Sequence, residues 1–227
     1  MAPSRQRTRP EVVAFDVNET LLDLAPLASA LVELGRPAEL LPAVFGRTLL
    51  TGFAAAVTGS WCRFRDAFDT ALAQLTDLAP ADRARVTAVF EELVPHPDVE
   101  PALRRLAEAG VRAVTLTHGS PGVAEAALAR GGIAALVERT LSSESVRVWK
   151  PAREAYLWAA GTCGVAPDRL ALVAAHGWDV HGAQRAGLTG AWFPRAERVY
   201  PGVYEPAHVI AGSIGEAVAA LVALPEA

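Results

Sequence analysis

The apolar positions of this chain fall into two kinds of run. "EVVAF" (11–15) is short, apolar and β-branched, as in a strand buried on both faces. "VRAVTLT" (111–117), "RTLSS" (139–143), "RLALVAA" (169–175) and "GAWF" (190–193) repeat that character. Between and after them, segments 101–110, 120–132, 151–164, 178–188 and 213–224 space their apolar residues as helices do. This alternation predicts βαβ units, hence an α/β domain with a mostly parallel sheet. The interval after the first strand differs. Segments 26–35, 39–57, 61–78 and 80–94 all read as helices, and no strand run interrupts them. Pro26 and Pro80 suit first-turn positions and Gly35 suits a helix stop. The expected organisation is a core of residues 11–23 and 96–227, a helical insert over 24–95, and a frayed tail over 1–10. Hinges are expected near Asp23–Leu24 and Pro95–Asp98, where the chain enters and leaves the insert.

Composition narrows this picture. The chain has 227 residues, 52% of them hydrophobic and 20% charged, which predicts a sizeable core and no global disorder. A net charge of -4 leaves no basic footprint, so nucleic acid is not an expected partner. Two cysteines without metal-ligand spacing suggest neither a disulfide framework nor a zinc site, and reduced thiols fit a cytoplasmic setting. No signal peptide and no run of about 18 apolar residues is read in the chain, so no membrane partner is expected.

In a parallel sheet, ligands collect beyond the carboxyl ends of the strands. Asp16, Thr117 with His118, Lys150, and His176 with Asp179 all fall at or just beyond predicted strand ends. Distant in sequence, they are expected to share one rim.

Four stretches, in order, carry a resemblance. "FDVNETLLD" closes the first strand with Asp16 and sets Thr20 four residues on. "TLTHGS" brings a hydroxyl residue to a strand end, and "KPAREAY" follows Lys150 with a proline and Tyr156. "VAAHGWDVHGA" sets Asp179 after Trp178 at a helix start. Together they resemble the haloacid dehalogenase superfamily, and within it the dehalogenases of L-2-haloacids. The resemblance covers residues 11 to 223 and implies a Rossmann-like core, with the insert as a helical cap. It also implies a small 2-haloacid substrate, no cofactor or metal, and a homodimer.

The resemblance implies roles as well. Asp16 attacks the halogen-bearing carbon and forms an ester. Lys150 pairs with the Asp16 carboxylate and Thr20 orients it. Asp179 positions Lys150 and the hydrolytic water, and Tyr156 supports that network. Thr117 and the first loop, with Val17 and Asn18, bind the substrate carboxylate. Arg47, thirty-one residues after Asp16, grips the departing halide. Phosphatases of the superfamily carry a second Asp two residues after the first, as a general acid. Asn18 stands there and cannot donate such a proton. Halide is a weak base and leaves without one. This chain also departs from the dehalogenase pattern. Asn18 stands where Tyr is common, Thr117-His118 replaces Ser-Asn, and Ala174-Ala175-His176 replaces Ser-Ser-Asn. His118 is expected to assist at the leaving-group side and His176 to activate water. Trp178 is expected to line the pocket, and His181 and the cap aromatics to be structural. Two alternatives stand beside this reading: another hydrolase of the superfamily, above all a phosphatase, and a non-catalytic carboxylate-binding member.

Overall fold

The computed structural model describes residues 7–226. Its sheet has six parallel strands: β1 Val12–Phe15, β2 Arg112–Thr117, β3 Arg139–Ser142, β4 Leu170–Ala174, β5 Thr189–Trp192 and β6 Val209–Ile210, in the order β3-β2-β1-β4-β5-β6. The unbroken apolar run of β1 follows from its place in the middle. Val13 and Phe15 enter one core cluster and Val12 and Ala14 the other, so neither face meets water.

The helices are α1 Ala25–Glu33, α2 Leu40–Val57, α3 Phe64–Leu75, α4 Pro80–Ala88, α5 Val99–Glu108, α6 Pro121–Arg130, α7 Arg153–Cys163, α8 Gly177–Ala186 and α9 Ile214–Val222. Helices α7 and α8 cover one face of the sheet, and α5 and α9 the other. From β1 the chain builds outward through β2 and β3, then returns past β1 to lay down β4, β5 and β6. The strand order therefore switches between β1 and β4, which opens a crevice at their carboxyl ends.

The insert carries α1 to α4 and rests on that end of the sheet. In α2, Gly52 lies against the Trp149 ring, and Phe53 meets Trp178 edge-on at 5.2 Å between centroids. The indole N–H of Trp149 donates to the Cys62 carbonyl at 2.9 Å. The two crossings between core and insert run side by side. Asp23 N–H donates to Val94 O at 3.1 Å and His96 N–H to Leu21 O at 2.8 Å. Arg195 ties them to the β1 loop, donating to Thr20 O at 2.6 Å and pairing with Asp98.

Three expectations need correction. β6 is too short to signal itself in the sequence. Residues 7–10 are held in place: Arg9 N–H donates to Pro225 O at 2.7 Å, and Arg7 donates to Gly187 O at 3.0 Å. The first six residues of the expected tail lie outside the described residues. Helix α2, with a mean hydropathy of 1.6 over 18 residues, is long and apolar enough by composition to cross a membrane, and no such run was expected. Its Val44, Phe45, Thr48 and Gly52 are buried in the protein interior.

A methyl group at Gly52 would lie 2.1 Å from the Trp149 ring. Gly52→Ala is therefore expected to lower stability by about 1–3 kcal/mol through overpacking. Gly46→Ala on the same helix meets nothing and should be neutral or stabilising. Urea unfolding of the two variants checks the contrast. An equal response would mean that α2 is not seated on Trp149.

Candidate active site

Asp16 follows β1 directly, and its N–H still donates to Val173 O at 3.1 Å, so the strand geometry fixes where its carboxylate emerges. Lys150 reaches it from the loop between β3 and α7. The three N–H groups of the Lys150 ammonium meet Asp16 Oδ1 at 2.9 Å, Asp179 Oδ2 at 2.6 Å and Leu116 O at 2.9 Å. That uses its full donor capacity in a fully buried position. Asp179 lies in the first turn of α8, where the helix dipole favours negative charge. Its Oδ1 accepts from the Tyr156 hydroxyl at 2.6 Å. Thr20 Oγ1 accepts from Ala175 N–H at 3.0 Å, so its own hydrogen points to Asp16 Oδ2 at 2.8 Å.

The electrostatics follow from this packing. Burial alone would raise the Asp16 pKa, but Lys150 and His176 outweigh it and hold the carboxyl well below its usual range. Lys150 is raised above its ordinary value: burial opposes the charge, and the two carboxylates more than compensate. Asp179 is raised, by burial first and then by Asp16, although Lys150 and Tyr156 pull the other way. The site thus keeps an ionised Asp16 beside a charged lysine. Among the described residues, no group of three or more His, Cys, Asp or Glu is placed to hold a metal ion.

The two histidines differ. His118 Nε2–H donates to Lys150 O at 3.2 Å, and its ring stacks on Trp178 at 5.7 Å and packs on Trp149 at 4.4 Å. Burial and the Lys150 charge push its pKa well down, so it is a neutral imidazole. His176 has a carboxylate at each ring nitrogen: Asp16 Oδ2 3.0 Å from Nδ1 and Glu19 Oε2 2.9 Å from Nε2. Burial opposes its charge, but the two acids win and push its pKa up to about 10. The structure thus corrects the water-activating role expected for His176: a doubly protonated ring has no lone pair with which to take a proton. Sequence reasoning missed Glu19. Its φ of +59° lies in the left-handed region, and no sequence pattern shows that this turn brings its carboxylate to His176.

A cavity of about 200 Å³ opens between core and insert. Val17, Asn18 and Thr117 line it from the core, and Phe64, Thr87 and Phe90 from the insert. Asp16 lies one residue behind this lining. Thr117 Oγ1 accepts from Gly119 N–H at 3.0 Å, which leaves its hydrogen free for a ligand. Trp178 packs among Phe53, His118 and His176, and its buried indole N–H has no partner among the described residues. Arg47 is not brought to the cluster. Helix α2 lays Phe45 on His176, rings 5.9 Å apart, and two residues along a helix is a rotation of about 200°. Arg47 therefore points away and is exposed, without a side-chain partner among the described residues. Its halide-gripping role is corrected on that ground: a spacing counted along the chain does not set the phase of the helix.

Comparison with known proteins agrees with this architecture. A family model for haloacid dehalogenase-like hydrolases matches residues 10–187, well over half of the chain. The chain belongs to that family. It is 26% identical to haloacetate dehalogenase H-2 of Moraxella sp. (strain B) over 192 residues, covering 82% of this chain and 86% of that one. It is 25% identical to the (S)-2-haloacid dehalogenase of Pseudomonas sp. (strain YL) over 195 residues, 83% and 84% of the two chains. Among solved structures, an L-2-haloacid dehalogenase superposes with a TM-score of 0.88 at 25% identity, covering 95% and 100%. That of Xanthobacter autotrophicus, with chloropropionic acid covalently bound, superposes at 0.85 and shares the fold at 20% identity, covering 94% and 99%. This member of the haloacid dehalogenase-like family carries Asp16, Lys150 and Asp179 in one hydrogen-bonded chain.

Two variants test this geometry. Arg47→Ala should leave turnover nearly unchanged, measured as steady-state product formation; a loss of two orders of magnitude would return Arg47 to the site. The second uses the raised pKa of His176. The stability it contributes is full below pH 6.5 and is lost as pH rises toward about 10. The stability difference between wild type and His176→Gln should therefore shrink from pH 6 to pH 10 in urea titrations. A constant difference would mean that His176 is not held as the cation.

Proposed function

We propose that this protein hydrolyses small 2-haloacids through an ester on Asp16, releasing halide and a 2-hydroxy acid with inversion at carbon. The observation that carries the reading is the buried Asp16–Lys150–Asp179 chain, with Asn18 in place of a second acid. Lys150 keeps Asp16 ionised, and burial strips water from the nucleophile. A halide leaves without a proton, so Asn18 costs this reaction nothing. A phosphate ester would need the missing general acid.

The substrate carboxylate fits the end of the cavity formed by Val17, Asn18 and the Thr117 hydroxyl. The modest cavity volume favours short acids. The names of the relatives, a haloacetate dehalogenase and an (S)-2-haloacid dehalogenase, support the same substrate class. A homodimer belongs to this proposal through the family resemblance. In this reading Asp179, held by Lys150 and Tyr156, receives the proton of the hydrolytic water.

The test is a halide-release screen over chloro-, bromo- and fluoroacetate and both enantiomers of 2-chloropropionate. Release is expected from the chlorinated and brominated acids. It should survive excess EDTA, because Asn18 denies a hard divalent cation one charged oxygen ligand. Asp16→Asn should abolish release while the chain stays folded. Activity that EDTA removes and Mg²⁺ restores, on phosphate esters, would establish the phosphatase alternative.

A further inference from the structure

We propose that Glu19 and His176 complete an oxyanion hole for opening the Asp16 ester, with His176 acting as a hydrogen-bond donor. This rests on the reading of Asp16 as the nucleophile. The two oxygens of Asp16 differ in how many donors they hold. Oδ2 has two donors, Thr20 Oγ1 at 2.8 Å and His176 Nδ1 at 3.0 Å, which occupy both in-plane lone pairs. Oδ1 has one, the Lys150 ammonium at 2.9 Å. Oδ1 therefore keeps a lone pair for carbon, and Oδ2 becomes the carbonyl oxygen of the ester.

The partners fix the direction of each bond. A carboxylate only accepts, so the two ring nitrogens of His176 both carry hydrogens, one toward Asp16 and one toward Glu19. Thr20 is committed by Ala175 N–H, which donates to its oxygen and turns the hydroxyl hydrogen to Oδ2. Two donors at these distances meet the geometry of an oxyanion hole.

Water adds to the ester carbon Cγ, and the carbonyl π pair moves onto Oδ2, between Thr20 and His176. One water proton passes to Asp179. The pair then returns from Oδ2, the Cγ–Oδ1 bond breaks, and the departing alkoxide takes the proton from Asp179. The 2-hydroxy acid leaves with Oδ1, and Asp16, now holding the water's oxygen, releases its remaining proton to solvent.

Glu19 matters most in the ester state. Esterification removes the Asp16 charge, and Glu19 is then the carboxylate that keeps the second hydrogen on His176. Other groups around the ring do not replace it. Lys150 stands on the far side of Asp16, His118 is neutral, and Glu197 accepts from Gly177 N–H. Phe45 covers one face of the imidazole. Glu19 holds its left-handed φ of +59° with its carboxylate anchored on His176. It is a positioning residue, acting through the imidazole.

The experiment separates the two steps. Enzyme is mixed with bromoacetate, halide release reports ester formation, and quenched samples are read by intact-chain mass spectrometry. Glu19→Gln and Glu19→Gly are compared with wild type; the glycine variant suits the positive φ and guards against misfolding. Both variants should release the first equivalent of halide at a little-changed rate. Ester hydrolysis should slow about tenfold to a hundredfold, so that carboxymethylated chain accumulates. In the variants that slow step should weaken further as pH rises through the ordinary histidine range, while wild type stays level there. Hydrolysis rates and pH profiles matching wild type, or equal slowing of both steps, would overturn the role of Glu19. Slowed turnover in both variants with no carboxymethyl group on Asp16 at any time would overturn the nucleophile reading itself, and this proposal with it.

Discussion

One buried ammonium organises this protein's chemistry. Lys150 stands between Asp16 and Asp179, fully buried, with every N–H used. Removing an ion of this kind from water is expensive, and the cost is met only when charge and hydrogen bonds are matched. Here two carboxylates and a carbonyl match it. Losing the lysine would strand two buried acids, at a cost of about 3–5 kcal/mol for a broken buried pair. The arrangement is also one-sided. Asp179 is fully buried with one side-chain donor on each oxygen, whereas Asp16, next in sequence to the cavity-lining Val17, keeps a lone pair on Oδ1. The interaction that stabilises the site thus leaves one Asp16 oxygen with a lone pair for carbon.

The fold explains how such a cluster forms from residues far apart in the chain. Asp16 ends β1, the strand on one side of the topological switch, and His176 and Asp179 follow β4, the strand on the other. The register that pairs Phe15 with Val173 brings those two ends level. Lys150 enters from the loop after β3, and Leu116 O near the end of β2 completes its shell. The insert then closes the apolar side, with Phe45 over His176 and Gly52 against Trp149. Lys150 and the insert apart, each contribution is a strand end or the turn just after it, so the sheet sets much of the geometry.

Much of this was legible in the sequence, for a physical reason. Central parallel strands are buried on both faces, and an uninterrupted run such as "VVAF" that stops at an acid marks both the strand and its functional end. The order of Asp16, Thr117, Lys150 and Asp179 along alternating elements therefore reported one rim. The unread features depend on quantities that a linear pattern does not carry. Arg47 has the spacing of a site residue, but the phase of α2 turns Phe45 inward in its place. Glu19 looks like a surface acid until a left-handed turn brings it to His176. Residues 7–10 look like a tail, yet their partners, Pro225 and Gly187, lie at the far end of the chain.

The central claim is that Asp16 attacks carbon. Direct attack by water and attack by Asp16 give the same product, so the source of the hydroxyl oxygen is the measurement that separates them. With enzyme in excess over haloacid in H₂¹⁸O, a single turnover should yield product whose hydroxyl carries ordinary oxygen, and the label should appear in the peptide containing Asp16. Label in the product hydroxyl, with none in that peptide, would show that water attacks directly and that Asp16 serves only as a base.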